Sequence, residues 1–315
     1  MKAAIVTSFD QAPRCGDADA PVPQGPAEMR VDVLAAGLHP LTRARAAGAH
    51  YAGSGVLPFV AGADGVGRGS DGKLRYFVQS PGRAGTMAEQ TVIELDHSIE
   101  LPDACDPATV AAAMNPAMAS WLALRCRVPL GPGRKLLILG ATGSAGRMAV
   151  QITRHLGASQ VIAAGRDERR LAGLRALGAT ETVALADPRL GECAREVDVV
   201  LDFVWGETAV RVMEAVLRAR ADRSRPLTWI HVGSMAGPAA PIPGALLRAA
   251  NLQIVGSGHG AVPEREILQA LPALAAEIAR GSFRIDVKAL PLSEVERAWP
   301  AAAGAGAGER IVFTP

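Results

Sequence analysis

The run at 135–140 (KLLILG), continuing as Ala141-Thr142-Gly143-Ser144-Ala145-Gly146, constrains this 315-residue chain more than any other stretch. It is apolar, too short for a helix, and follows Gly131-Pro132-Gly133. From Ser144 the spacing turns helical: Met148, Ile152 and Leu156 fall on one stripe, and Gly157 supplies a stop. Further apolar runs follow at 161–164, 182–185, 197–204, 227–232 and 252–255, mostly separated by helical segments. Continuous apolar strands alternating with helices predict a parallel sheet covered on both faces. Six such strands make an α/β, doubly wound, nucleotide-binding architecture.

The turn after the first strand carries chemistry as well as topology. Gly143 is expected to make the tight turn. Gly146 is expected to let the helix close on the strand and the backbone approach a pyrophosphate. The helix N-terminus adds unpaired N–H groups and a positive dipole end. Gly140, Ala141, Thr142, Gly143, Ser144, Ala145 and Gly146 are therefore the candidate phosphate-binding residues. About 20 residues beyond such a turn, an NAD site places Asp or Glu on the ribose 2′-OH. Here Gly165 holds that place, followed by Arg166, with Arg169 and Arg170 beyond. A carboxylate there repels a 2′-phosphate, whereas glycine leaves room and a guanidinium makes paired, charge-assisted bonds to it. The expected cofactor is NADP(H). Ligands lie outside the carboxyl ends of parallel strands. Phe203 and Val204, then Val232, Gly233 and Ser234, then Gly256, Ser257 and Gly258 are thus further cofactor-binding candidates. Trp205 either covers the adenine side or packs, and His259 reads as a bystander.

The first 116 residues read differently, as strand-like pieces at 2–6, 29–36 and 87–95 divided by Gly- and Pro-rich turns. After Gly256 a helix at 263–280 leads to late strands at 283–290 and 310–313. A final strand pair is too small to stand alone, so it is expected to return to the N-terminal domain. The expected division is 1–116, 117–256 and 257–315, the first and last forming one discontinuous domain. The tract at 301–308 (AAAGAGAG) reads as a surface turn, and Arg218, Arg220, Arg223 and Arg225 as a solvated loop face.

Composition excludes several classes of function. Lys and Arg number 33 against 31 Asp and Glu, a formal charge of +2, which gives no footprint for nucleic acid or an anionic membrane. The stretch 110–124 is interrupted by Asn115, Pro116 and Ser120 and falls short of the about 20 apolar residues that span a bilayer. Cys15, Cys105, Cys126 and Cys193 are scattered, without metal or disulfide spacing. Free thiols and the absence of a signal-peptide pattern lead to a cytoplasmic expectation.

Taken in order along nearly the whole chain, a set of short motifs resembles one superfamily. The set is Met1-Lys2-Ala3, Ala36-Gly37-Leu38-His39-Pro40, Pro58 with Gly62-Ala63-Asp64-Gly65-Val66-Gly67, Gly85-Thr86-Met87-Ala88-Glu89, Ser120-Trp121-Leu122-Ala123-Leu124, the Gly-rich turn, and Gly308-Glu309-Arg310-Ile311-Val312. It resembles the medium-chain dehydrogenase/reductase superfamily, in its zinc-free quinone oxidoreductase branch. The resemblance implies a GroES-like β-rich catalytic domain, a Rossmann cofactor domain and a homodimer. Zinc-dependent relatives place Cys and His-Glu ligands in two of these loops. Here they read His39-Pro40-Leu41-Thr42 and Gly62-Ala63-Asp64-Gly65, with Ala63 where a His ligand would stand. Catalytic zinc takes about three protein ligands, so no metal is expected.

Without a metal Lewis acid, an acceptor that already delocalises charge is the easier substrate. The expected function is therefore hydride transfer from NADPH to a small-molecule quinone or α,β-unsaturated carbonyl, with hydrogen-bond donors stabilising the resulting oxyanion. His39, Tyr51 and Asn115 are the candidate catalytic donors. Pro40 and Thr42 lie on the loop that the resemblance directs to the nicotinamide. Asp64 is expected to hold a loop. A metal-free carbonyl or alcohol dehydrogenase of the same fold, and a weakly catalytic NADPH-binding sensor or structural protein, are the alternatives.

Overall fold

The computed structural model describes residues 1–49, 56–80, 82–258, 260–300 and 309–315. The chain forms two compact units, Met1–Asn115 with Leu268–Pro315, and Pro116–Ile267. The second unit thus continues past the boundary expected at 256.

In the second unit a parallel six-stranded sheet runs, edge to edge, Glu181–Ala184, Gln160–Gly165, Lys135–Leu139, Val199–Asp202, Leu227–His231, Leu252–Gly256. Strands are added outward in one direction from Lys135–Leu139, then in the other from Val199–Asp202. The order reverses between those two, which is where doubly wound sheets bind ligands. Successive residues serve opposite faces. Leu136 and Ile138 pack with Val161, Ala163 and Leu201, while Leu137 and Leu139 pack with Ile162, Ala164 and Val200. Helix Ser144–His155 covers the first face with Ala149 and Val150. Helix Gly206–Ala219 covers the second with Ala209, Val212, Met213 and Val216. Both faces being buried, the strands read as unbroken apolar runs rather than alternating ones.

The other unit is β-rich. Glu28–Gly37 is its longest strand, flanked by Asp64–Gly69 and, at its two ends, by Gln90–Glu94 and Glu309–Thr314. Leu74–Val78 and Ser98–Glu100 extend the sheet beyond Asp64–Gly69. The late strands join this sheet: Asp286–Pro291 pairs in parallel with Glu309–Thr314, which sets Val312 opposite Gly37. A separate three-stranded sheet is made by Arg14–Asp17, Lys2–Val6 and Phe59–Val60. Val31, Val33, Phe77, Met87, Ile93, Trp299 and Phe313 share the core of this unit.

Helix Pro107–Leu122 runs through Pro116 and continues as a π-type turn, Ala123–Arg127. A mid-helix proline removes one donor and costs about 3 kcal/mol, against which this helix buries Val110, Met114, Ala117 and Trp121 completely. The arginine cluster is not all solvated. Arg220 is buried and donates to the carbonyls of Arg195, Val197 and Arg225. Arg225 pairs with Glu196 and Asp198. A guanidinium fork can satisfy several loop carbonyls at once, so these side chains lock the loop. The tract at 301–308 lies outside the described residues.

Candidate functional site

Parallel register places Leu139, Asp202, His231 and Gly256 in one lateral row at the carboxyl ends of four strands. The residues just beyond that row are Gly140, Phe203, Val232 and Ser257, so the sheet gathers the turns expected at a dinucleotide. Backbone bonds tie them together. Gly140 and Ala141 N–H both donate to the Ala164 carbonyl at 2.9 Å, Val232 N–H donates to Asp202 O at 2.8 Å, and Ser257 N–H to His231 O at 2.9 Å.

The glycines of the turn divide the work differently from the sequence expectation. The left-handed position is Gly140, at φ +84°, not Gly143. Gly143 has φ −76° and ψ 166°, a conformation open to any residue, and a Cβ there would meet only Gly140 O, at 3.6 Å. Nothing in the protein requires glycine at 143, and the exposed backbone it leaves at the helix N-terminus suits a phosphate. Gly146 is required by packing. Its Cβ would lie 2.3 Å from Gly140 O and 2.6 Å from Ala141 Cα. Ser144 and Ala145 open the helix. The residues present thus fit a dinucleotide pyrophosphate.

At the end of the second strand Gly165 is buried, but the room expected above it is occupied. A Cβ there would stand 2.7 Å from Thr142 Cγ2 and 3.1 Å from Thr142 Oγ1. Arg166 and Arg169 are exposed, and their side chains make no hydrogen bond or ion pair among the described residues. Asp167 does not neutralise them, because it caps helix Glu168–Gly173 through Arg170 N–H and pairs with the Arg170 side chain.

Asp202 was not singled out by sequence reasoning, although an acid ending an apolar strand was a legible signal. It is fully buried. Its Oδ1 accepts from the N–H groups of Val204 and Trp205, and its Oδ2 from Trp229 Nε1. Burial pushes its carboxyl above the usual value against those three donors. The donors pin Trp205 at φ +55°, a left-handed backbone that costs a bulky residue energy. The Trp205 ring packs on His231, with centroids 4.3 Å apart. Trp205 is half-buried against His231 at the carboxyl edge of the sheet; His259 lies outside the described residues. Val204 and Phe203 stand against Gly140, and Phe203 O against Gly233. Ser234 Oγ lies 3.0 Å from His231 Nε2. Gly256, the last residue of the last strand, and Gly258 beyond it are exposed.

In the β-rich unit, His39 caps helix Pro40–Ala46: its Nδ1 accepts from Thr42 N–H at 3.4 Å. The proton therefore sits on Nε2, which donates to Asp64 Oδ1 at 2.8 Å. Tyr76 donates to Asp64 Oδ2 at 2.8 Å, and Thr86 Oγ1 to the Asp64 carbonyl at 2.6 Å. Burial first, then the Asp64 charge, push the Tyr76 hydroxyl well above its ordinary value. Arg310 is buried nearby. Burial pulls its guanidinium down and the Asp64 charge holds it up, while its Nε and Nη2 have no hydrogen-bond partner among the described residues. The His39 side chain has no exposed surface and both ring nitrogens are committed, so the geometry supports a positioning role. Thr42 is buried and Pro40 exposed. Asn115 is half-buried within helix Pro107–Leu122. Tyr51 lies outside the described residues. Sequence reasoning missed Tyr76 and Arg310, whose strands gave no sign of facing Asp64.

A family model described as zinc-binding dehydrogenase matches residues 145–276. The chain is 29% identical, over all of both chains, to a probable NADPH-dependent quinone reductase, tdiC, of Emericella nidulans. It is 26% identical to 2-methylene-furan-3-one reductase of Solanum lycopersicum, over 59% of this chain and 52% of that protein. Its structure superposes on the quinone oxidoreductase of Thermus thermophilus, solved also in complex with NADPH, with a TM-score of 0.84, 26% identity and complete coverage of both chains. The zinc named by the family description finds no matching donor set among the described residues. His39 and Asp64 bind each other, and among the described residues no three His, Cys, Asp or Glu side chains gather to hold a metal. All four cysteines are free thiols, and burial first pushes that of Cys193 up to about 11.

Proposed function

From the premise that the chain belongs to the quinone oxidoreductase-like branch of the medium-chain dehydrogenase/reductase superfamily, we propose an NADPH-dependent reductase of quinones or α,β-unsaturated carbonyls that works without zinc. The observation that carries it is the carboxyl edge of the parallel sheet. There an open glycine at a helix N-terminus, a second strand ending in glycine, and two unpaired arginines stand within one βαβ unit. When bound there, NADPH supplies a hydride.

The chain's own residues bind and orient. Exposed N–H groups at the start of helix Ser144–His155 receive the pyrophosphate. Arg166 and Arg169 receive the 2′-phosphate with charge-assisted bonds. The Asp202-pinned loop and the turns at Val232, Gly233, Ser234, Gly256, Ser257 and Gly258 border the remaining cofactor. In the β-rich unit, His39 caps the helix whose first turn carries Pro40 and Thr42. Tyr51 and Asn115 are the donors assigned to the acceptor oxygen, with water delivering the final proton. A quinone or enone suits this set, because its oxyanion is delocalised and needs donors rather than a metal.

No helix among the described residues is long and apolar enough to cross a membrane, and the four free thiols suit a reducing cytoplasm. Strand Leu252–Gly256 ends the sheet, and its open edge supports a homodimer with strands paired across a two-fold axis.

The coenzyme assignment is tested with Arg166→Ala. Losing a charge-assisted contact should raise the Kd for NADPH about tenfold or more and leave that for NADH nearly unchanged. Equal effects on the two coenzymes would remove Arg166 from the site.

A further inference from the structure

We propose that Thr142 decides which coenzyme this fold can accept, by occupying the volume that an acidic residue at 165 requires. The inference rests on the NADPH reading above and names the residue that enforces it. Sequence alone shows a glycine where NAD sites carry a carboxylate, and leaves open whether an acid is merely missing or is excluded.

Two observations say that it is excluded. First, Gly165 closes strand Gln160–Gly165 in register with Ala184 and does not have a left-handed φ, so its backbone accommodates a side chain. Second, the Cβ such a side chain needs would stand 2.7 Å from Thr142 Cγ2 and 3.1 Å from Thr142 Oγ1. Contacts between carbon atoms are favourable near 3.5–4.0 Å, so the first of these is an overlap. The third-nearest atom is Leu171 Cδ2, at 3.3 Å, the end of a side chain that can give a few tenths of an ångström. The overlapping atom and the tight one, Cγ2 and Oγ1, both lie beyond the Thr142 Cβ, so a Thr142→Ala change removes them together.

Thr142 lies in the phosphate-binding turn, whose backbone is tied to the second strand: Ala141 N–H donates to Ala164 O at 2.9 Å. The backbone of the turn therefore holds Thr142 beside the end of the second strand. Position 142 and position 165 act as one unit, in which a branched side chain on the first turn keeps the second strand's end free of charge. A 2′-phosphate then meets the Arg166 and Arg169 guanidinium groups with no carboxylate between them.

The test is a double-mutant cycle over Thr142→Ala and Gly165→Asp, read by thermal unfolding without coenzyme and by Kd for NADPH and NADH. Gly165→Asp alone should lower Tm by about 5 °C, the scale of one overpacked site. Adding Thr142→Ala should recover most of that loss. The double variant should also shift the ratio of the two dissociation constants towards NADH by about a hundredfold or more, the scale of placing like charges side by side. If Gly165→Asp does not fold, Gly165→Ala with and without Thr142→Ala measures the same overlap in Tm. A Gly165→Asp protein as stable as the wild type, or a double variant no more stable than Gly165→Asp alone, would overturn the proposal. So would a stable double variant that still prefers NADPH. A wild-type protein without preference for NADPH instead overturns the coenzyme reading, and is seen before any variant is made, while the Tm cycle reads the steric coupling independently.

Discussion

Replacing Gly146 by alanine should weaken NADPH binding by about a hundredfold or more and lower Tm by about 5 °C. The added methyl carbon would sit 2.3 Å from Gly140 O, 2.6 Å from Ala141 Cα and 2.9 Å from Ala141 C. All three are backbone atoms of the phosphate-binding turn, so no rotamer change relieves them. Either the helix backs away from the strand or the turn is displaced, and a shift of about 1 Å in a positioned site costs about a hundredfold. Gly143→Ala is the paired control. Its methyl group meets only Gly140 O, at 3.6 Å, on a backbone that favours no special residue. Tm should hold while NADPH affinity falls, because the methyl occupies the exposed side of the turn. Calorimetric titration and thermal unfolding of both variants separate a glycine kept for packing from one kept for the ligand. A Gly146→Ala protein that binds NADPH as the wild type does would contradict the assignment.

The second large effect is expected at Asp64. Asp64→Ala should cost about 3–5 kcal/mol, the scale of leaving two buried donors unsatisfied at about 1–3 kcal/mol each, and lower Tm by about 10 °C. The substitution strands two donors at once, His39 Nε2–H and the Tyr76 hydroxyl, and removes the charge that holds the buried Arg310 guanidinium up. Asp64→Asn keeps an oxygen acceptor and the side-chain volume, so it should lose less stability. If the network positions the helix start bearing Pro40 and Thr42, kcat falls in parallel with the stability lost. A large kcat loss in Asp64→Asn at unchanged Tm would instead make His39 a group that touches the acceptor. Thermal unfolding followed by steady-state rates on each variant decides between them.

These two sites also show what the sequence makes legible. The sheet is legible because both of its faces are buried, which turns each strand into an unbroken apolar run, and because its helices carry a separate period. The phosphate turn is legible because close packing and backbone exposure both demand glycine. Which glycine meets which demand is not legible: the positive φ falls at Gly140 and not at Gly143, a matter of backbone path rather than composition. Nor does the string of letters show that Thr142 fills the space above Gly165, since the two residues meet only after the strands pair. His39 had the chemistry of a proton donor. Its two nitrogens are claimed by Thr42 N–H and Asp64, and those partnerships depend on a helix cap and a strand register. Arg310 and Tyr76 were missed for the same reason, each sitting on a strand of ordinary appearance. Asp202 was within reach, because an acid inside VVLDFV has to be satisfied by something, and three N–H donors satisfy it.

The most direct test of the account is oxidation of NADPH by a 1,4-quinone and by an enone, measured on protein dialysed against a chelator and checked for bound metal. The account predicts turnover with NADPH in metal-free protein, markedly less with NADH at the same concentration, and no gain when zinc is restored. Turnover that appears only on adding zinc, or a metal-free protein that oxidises neither coenzyme with either acceptor, would contradict it.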